Sequence, residues 1–139
     1  MRILVDTNVL LDVFLERAPH YRHSAAIWGL AESHREDVYI SAISFNNIHY
    51  IMRKLKGKDC AQRAVEVLNA VFHIAPLDHE VLTKAVMAKA PDFEDAIQFY
   101  SALSIGADCI VSRNIKDFPQ DTLPVWSAEA FLAQYHESH

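Results

Sequence analysis

Short apolar runs that suit β-strands alternate along the whole chain with longer segments of helical periodicity. The strand-like runs lie at 2–5, 37–42, 73–77 and 109–112, with a shorter candidate at 124–126. Strands that are separated by helices form parallel sheets, because each parallel connection is a long crossover that covers one face of the sheet. The pattern therefore predicts an α/β fold with a central parallel sheet of four to five strands, flanked by helices on both faces.

Capping residues set the predicted ends of the helices between these runs. We expect helices at 8–15, 21–33, 45–55, 59–72, 79–89 and 92–105, and a final helix after Ser127. Ser44 is the predicted N-cap of the helix after the second strand, and Gly57 breaks that helix. Asp78 and Asp92 stand at the starts of two later helices, where an acidic side chain can accept backbone N–H groups.

Length and composition favour one domain over residues 1–139. No apolar run approaches the roughly 18 residues that a membrane span needs, and the N-terminus lacks the features of a signal peptide. Cys60 and Cys109 lie in a predicted helix and a predicted strand, so we expect free thiols in a reducing, cytoplasmic environment. The net charge of −5 argues against a protein that binds nucleic acid by bulk positive charge.

Open α/β sheets place their sites outside the carboxyl ends of the strands. Asp6 comes directly after the first strand, residues 44–47 follow the second, and residues 112–118 follow the fourth. The segment 91–98, "PDFEDAIQ", opens the helix that leads into the fourth strand. We expect these segments to converge on one edge of the sheet.

Acidic residues dominate this predicted edge. Asp92 and Asp95 are three residues apart and should share a helical face, whereas Glu94 is about 200° from Asp92 on a helical wheel and should point elsewhere. Asp6 beside them would make a set of carboxylates that repel one another unless a cation lies between them. Oxygen ligands without a Cys or His motif favour Mg²⁺ or Mn²⁺. The simpler alternative is that these acids only cap helices.

Three motifs in this order resemble the PIN domain family: "LVDTNVLLD" at the N-terminus, "FEDAIQFYSAL" on the late helix, and "IVSRNIKDF" after it. The resemblance covers the whole chain, and small PIN proteins of this layout are similar to VapC-type toxins. It implies a metal-dependent ribonuclease that hydrolyses single-stranded or structured RNA and leaves a 5′-phosphate and a 3′-hydroxyl. It also implies a small antitoxin protein as partner and a homodimer.

The resemblance assigns the catalytic set residue by residue. Asp6 matches the first acidic position of the family and Asp95 the third, with Asp92 as an additional acid one turn earlier. The second position is usually Glu, and Asn47 is its match here. The fourth is usually Asp, and Asn114 stands there. The resemblance thus implies that Asp6, Asp92 and Asp95 bind the metal and that Asn114 joins them in the catalytic site.

The two asparagines depart from the family's pattern. An amide oxygen carries no charge and is a weaker ligand for a hard cation than a carboxylate. Asp117, three residues after Asn114, is a candidate to compensate, as is Asp92. The departures also support a second interpretation, a PIN-fold interaction or RNA-binding module with weak or lost catalysis.

Several neighbouring residues are predicted to support the site or to contact RNA. The supporting set is Thr7, Asn8, Asn47, Ser112 and Asp117. Arg113 and Lys116 flank the site and are the predicted RNA contacts, while the basic stretch 53–58 also suits a solvated helix end.

Two further interpretations concern aromatic residues and a different chemistry. Tyr50 and Phe99 can stack on bases, but their helical spacing favours a place in the core. A receiver-like pocket that accepts a phosphoryl group on Asp6 is a third function class, and it would need Lys116 near Asp6.

Overall fold

The computed structural model describes residues 1–119 and 122–138, and its elements follow the predicted order. The strands are β1 (Arg2–Val5), β2 (Asp37–Ser41), β3 (His73–Ala75), β4 (Cys109–Val111) and β5 (Val125–Trp126). The helices are α1 (Thr7–Phe14), α2 (Tyr21–Glu32), α3 (Ala42–Lys56), α4 (Lys58–Val71), α5 (His79–Ala88), α6 (Phe93–Ser104) and α7 (Ala128–Ser138), and Ile115–Asp117 form one turn of 3₁₀-helix. None of these helices is long and apolar enough to cross a membrane.

The five strands form one parallel sheet in the order β3-β2-β1-β4-β5. This arrangement confirms the predicted α/β class and the parallel sheet. β1 is central, and the chain adds strands first on its β2 side and then on its β4 side. The crevice between β1 and β4 is therefore the topological switch point, where α/β sheets open a binding site.

Alternation along β1 divides the core between the two faces of the sheet. Ile3 and Val5 pack into a cluster with α1, α2, α3, α4 and α7, whereas Leu4 packs into a second cluster with α6. All three side chains are at most 1% exposed. Because both faces are covered, β1 is apolar at three successive positions, and the first residue free to be polar is Asp6 at the strand's end.

The predicted cap of α3 is wrong. Ser41, not Ser44, is the N-cap, and its hydroxyl accepts the Ile43 N–H at 3.3 Å. The strand β2 ends at Ser41, one residue before the end of the predicted run 37–42, and α3 begins at once with Ala42, three residues before its predicted start at 45. Ser44 is consequently inside the helix and fully buried.

Candidate active site

Asp6 lies between β1 and α1 at the switch point and is 2% exposed. Its Oδ1 accepts the Thr7 N–H at 2.7 Å, and its Oδ2 accepts the Ser112 hydroxyl at 2.7 Å. The Asn8 side chain donates weakly to Oδ2, at 3.4 Å. Asp6 thus caps α1, as the simpler interpretation predicts, and is also held in a fixed orientation by groups of α1 and of the loop after β4.

Asp95 is the second buried carboxylate of the site, 3% exposed, in the first turn of α6. Asp92 precedes this helix as its N-cap, and its Oδ1 accepts the Asp95 N–H at 3.1 Å. The two acids are therefore neighbours, as predicted, but through a capping hydrogen bond rather than through a shared helical face. Oδ2 of Asp95 is buried and has no hydrogen-bond partner within residues 1–119 and 122–138.

Glu94 faces the site, and the prediction that it points elsewhere is wrong. The Asn47 side-chain amide donates a hydrogen bond to Glu94 Oε1, which joins the start of α6 to α3. Asp92 precedes the helix and is not part of it, because its backbone has the extended dihedral angles φ −121° and ψ 116°. The rotation of 100° per residue does not apply across that boundary.

Burial and mutual repulsion raise the pKa of three carboxyl groups in this site. Burial is the largest cause for the raised pKa of Asp6, which the hydrogen bond from Ser112 opposes. Burial followed by the charges of Asp6 and Asp92 raises the pKa of Glu94. The pKa of Asp95 rises to about 7, through burial first and then through the charges of Asp6, Asp92, Asp117 and Glu94. The side chains therefore form one electrostatic cluster at the end of β1.

The donor set of this cluster suits a hard divalent cation. No group of three or more Asp, Glu, His or Cys side chains in the described part of the chain is already spaced to hold a metal ion. The unpaired Oδ2 of Asp95 and the repulsion among the acids are nevertheless features that a bound cation would relieve. Carboxylate and amide oxygens are the ligands that Mg²⁺ and Mn²⁺ prefer.

Ser112 connects the loop after β4 to the buried acid. Its hydroxyl donates to Asp6 and accepts the Asn114 N–H at 3.0 Å. The Arg113 N–H donates to Asn8 Oδ1 at 3.3 Å, so Asn8 contacts both the loop and Asp6. Thus Ser112 and Asn8 occupy supporting positions around Asp6, while the side chain of Asn114 borders the adjoining hollow.

The side chain of Arg113 turns toward a second buried acid. Its Nε lies 3.3 Å from Oδ2 of Asp12, which is fully buried, and Arg17 Nε lies 3.4 Å from Oδ1. The Ser24 hydroxyl also donates to Asp12, at 3.3 Å. Arg113 is a predicted RNA contact, but part of its charge is already balanced inside the protein.

Lys116 and Asp117 lie on the other side of the cluster. Together with Asp95 they line a hollow of about 460 Å³ between α6 and the 3₁₀ turn. Both residues are exposed, and Asp117 is close enough to contribute to the raised pKa of Asp95.

A polar network beneath the site escaped the sequence analysis. The Thr7 and Ser44 hydroxyls are 2.8 Å apart, and the Gln98 amide donates to both at 3.3 Å. All three residues are buried. The position of Gln98, three residues after Asp95 on the same helical face, is the one signal in the sequence that indicates this role.

Phe99 and Tyr50 differ in their burial. Phe99 is 4% exposed, which confirms its predicted place in the core. Tyr50 is 57% exposed, so the prediction that it belongs to the core is wrong. It lies beside the site, on the face of α3 that carries Asn46 and Asn47.

The PIN domain model matches residues 2–116, so the chain belongs to the PIN domain family. Ribonuclease VapC1 of Aquifex aeolicus (strain VF5) is 25% identical over an alignment of 140 positions that covers 97% of this chain and 96% of that protein. Among solved structures, DNA-bound VapBC from Salmonella typhimurium has a TM-score of 0.71 at 15% identity, covering 92% of this chain and 98% of the other. A toxin–antitoxin complex from Klebsiella pneumoniae has a TM-score of 0.67 at 22% identity, covering 91% and 97%. These likenesses confirm the predicted family and its fold.

Proposed function

We propose that the protein is a Mg²⁺- or Mn²⁺-dependent endoribonuclease and the toxin of a toxin–antitoxin pair. The observation that carries the proposal is the cluster at the end of β1. There two buried aspartates, Asp6 and Asp95, lie among further acids, and neither forms an ion pair within the described residues. Membership of the PIN domain family and the likeness to Ribonuclease VapC1 support the same function.

In this proposal Asp6 and Asp95 hold the metal ion, and Asp92 assists them. The bound ion would supply an activated water and would neutralise charge on the scissile phosphate. Ser112 and the Thr7 N–H fix the orientation of Asp6 so that its carboxylate does not have to reorganise. Asn114 lies at the edge of this set, where its amide can bind a water or the ion.

Glu94 supplies the charge that Asn47 lacks. The family's second acidic position falls on Asn47, whose amide contacts the Glu94 carboxylate. A carboxylate from α6 therefore lies next to the position on α3, here Asn47, at which the family usually has Glu. We include Glu94 in the metal-binding set for this reason, with Asn47 holding it in place.

The partner in this proposal is a small antitoxin protein, and the substrate is single-stranded or structured RNA. The complexes from Salmonella typhimurium and Klebsiella pneumoniae are toxin–antitoxin assemblies of the same fold. A homodimer and a cytoplasmic location also belong to the proposal, as further expectations for a protein of this type.

Cleavage of a panel of single-stranded RNAs by the purified protein tests the proposal. We expect cleavage with Mg²⁺ or Mn²⁺, none with EDTA, and none by the Asp6→Asn variant. Isothermal titration with Mn²⁺ provides a readout that is independent of activity. Glu94→Gln should weaken Mn²⁺ binding, whereas Glu80→Gln, at an exposed acid on α5, should not.

The second candidate is an RNA- or protein-binding module with weak catalysis. It is favoured by the two asparagines at acidic positions of the family and by the absence of a ready-spaced group of three ligands in the described residues. A folded protein that binds no Mn²⁺ and cleaves none of the RNAs, but still binds RNA, would favour this alternative and reject the proposed nuclease.

A further inference from the structure

A hollow of about 430 Å³ adjoins the acidic cluster and is lined in an unusual way. Amide side chains dominate it: Asn8, Asn46, Asn47 and Asn114, beside the exposed ring of Tyr50. The other described residues that line it are Glu94, Thr7, Leu11 and Ile51, and none of these described residues is a cation. We propose that this hollow, the amide pocket, binds one unpaired base of the substrate RNA, with Tyr50 stacking on it.

The free hydrogen-bonding groups of the pocket suit a base. Within residues 1–119 and 122–138, the side chains of Asn46 and Asn114 have no hydrogen-bond partner and face solvent. Each amide offers two donors and an acceptor, the combination that pairs with the edge of a base. Glu94 at the wall repels phosphate, so the uncharged part of a nucleotide is the part that fits.

Tyr50 supplies the apolar surface. Tyr50 is 57% exposed on α3, although burial of its ring would lower the free energy of the protein. Stacking between a base and an aromatic ring is the usual way in which single-stranded RNA is held. An exposed tyrosine on the wall of a pocket lined with amides is arranged for this contact.

The neighbouring surface of α3 provides a place for the phosphates. Tyr50 also borders a shallow hollow formed with His49, Arg53 and Lys54. Neither Arg53 nor Lys54 forms an ion pair within the described part of the chain. From Asn47 to Lys54 the helix rises about 10 Å. A strand whose base enters the pocket can therefore pass its backbone along the basic end of α3.

The same charges favour RNA over a basic peptide. Arg53 and Lys54 attract phosphate and repel a positively charged protein segment. The inference rests on the proposed function only in naming RNA as the ligand. Binding is therefore measured separately from cleavage.

Fluorescence anisotropy of a short labelled single-stranded RNA, in EDTA to prevent metal-dependent cleavage, tests the inference. Tyr50→Ala should weaken binding about 5- to 150-fold, the range expected for one lost stack. Tyr50→Phe keeps the ring and should bind like the wild type. Leu55→Ala is the matched control, because Leu55 is also on α3 and 57% exposed, and it should leave the affinity unchanged.

A series of RNAs with one abasic nucleotide, moved along the strand, identifies the base. At one position the missing base should weaken binding to the wild type at least as much as Tyr50→Ala does. The variant should then lose no further affinity for that RNA, since the stacking contact that Tyr50→Ala removes is already absent. Asn46→Ala should alter which base is preferred there.

Three results would overturn the inference. One is unchanged RNA affinity in Tyr50→Ala, and another is an equal loss for every abasic position. The third is that Tyr50→Ala weakens binding of a labelled arginine-rich peptide but not of RNA, which would assign the pocket to a protein partner. If the wild type cleaves RNA and Tyr50→Ala changes neither Kd nor KM, only this inference fails. A wild type that neither binds nor cleaves RNA refutes the proposed function as well.

Discussion

Two buried aspartates of the first helix and its N-cap, Asp12 and Asp6, have charged neighbours of opposite sign. Asp12 is fully buried, and two guanidinium groups and a serine hydroxyl surround its carboxylate. Asp6, at the start of the same helix, receives hydrogen bonds but has Asp92, Glu94 and Asp95 as its charged neighbours, and Arg113 opposes them. The charge of Asp12 is balanced within the protein, whereas the charge of Asp6 belongs to a cluster of carboxylates that repel one another.

This difference fits the proposed function, in which Asp12 is a structural acid and Asp6 is a metal ligand. A buried carboxylate that is paired with cations and hydrogen-bonded needs no external ion to offset its charge. A cluster of acids whose nearby cation, Arg113, already pairs with Asp12 raises the free energy of the folded protein, and we propose that a bound cation offsets this cost. Arg113 connects the two regions, because its backbone contacts Asn8 near Asp6 while its side chain contacts Asp12.

The largest expected effect is the loss of catalysis when the acidic cluster is altered. Asp95→Asn should lower kcat/KM for RNA cleavage at least about 100-fold, beyond the 10- to 100-fold typical of residues that only support a metal ligand. Asp117→Asn, at an exposed acid beside the cluster, should have a smaller effect. Cleavage by Asp95→Asn at the wild-type rate would exclude Asp95 as a metal ligand.

Removal of the balanced acid should destabilise the fold. Asp12→Ala leaves two guanidinium groups and the Ser24 hydroxyl without their shared partner. We expect the free energy of unfolding to fall by about 2–4 kcal/mol, below the full value for a buried pair because both arginines are about a third exposed. Urea denaturation measures this change. A loss under about 1 kcal/mol would contradict the role assigned to Asp12.

Neutralising the unbalanced acid should have the opposite effect on stability. The pKa of Asp95 rises from 3.8 to about 7 on folding, so the folded protein binds the proton more tightly. Without metal, this group therefore makes the protein less stable as pH rises from about 4 to about 7, and the full cost persists above pH 7. At pH 8, Asp95→Asn should raise the free energy of unfolding by about 1–3 kcal/mol.

The control for this pH effect is the same pair of proteins at pH 4, where the wild-type carboxyl is protonated and the difference should largely vanish. Saturating Mn²⁺ should stabilise the wild type at pH 8 more than it stabilises Asp95→Asn. A variant that is less stable than the wild type at pH 8 in EDTA would show that the Asp95 charge is compensated.

The smallest effect is expected at Arg17, the more exposed of the two arginines that pair with Asp12. Arg17 is 39% exposed on its side chain, so its ion pair is partly screened by water. Arg17→Gln should lower the free energy of unfolding by less than about 1 kcal/mol and leave RNA cleavage unchanged. Arg113→Gln should affect cleavage more, because Arg113 also lowers the pKa of Asp6. Equal effects of the two variants on cleavage would remove this distinction.

The elements of the fold were predictable because each depends on local patterns. The apolar run 2–5 and its polar end at Asp6 identify both a strand and the position of a site. The helix starts at Asp78 and Asp92 were also predictable, since an N-cap acts on N–H groups within three residues. These features need no knowledge of what packs against them.

The details of the site were less predictable from the sequence. Ser44 is a good N-cap by type, but packing of α3 places it in a buried network with Thr7 and Gln98. Tyr50 has the spacing of a core residue, yet packing leaves its side chain 57% exposed. Spacing along a helix gives relative directions, and only the packing of the other elements decides which direction is buried.

The sequence by itself determined the parallel α/β sheet, the family, and the presence of Asp6, Asp92 and Asp95 near one edge of that sheet. Only the tertiary structure decided that Glu94 joins them and contacts Asn47, and that Arg113 turns toward Asp12. The reason is that strand periodicity and capping are set by residues close in the chain. Charge balance in a buried site depends instead on side chains that come from distant elements, at distances that folding alone establishes.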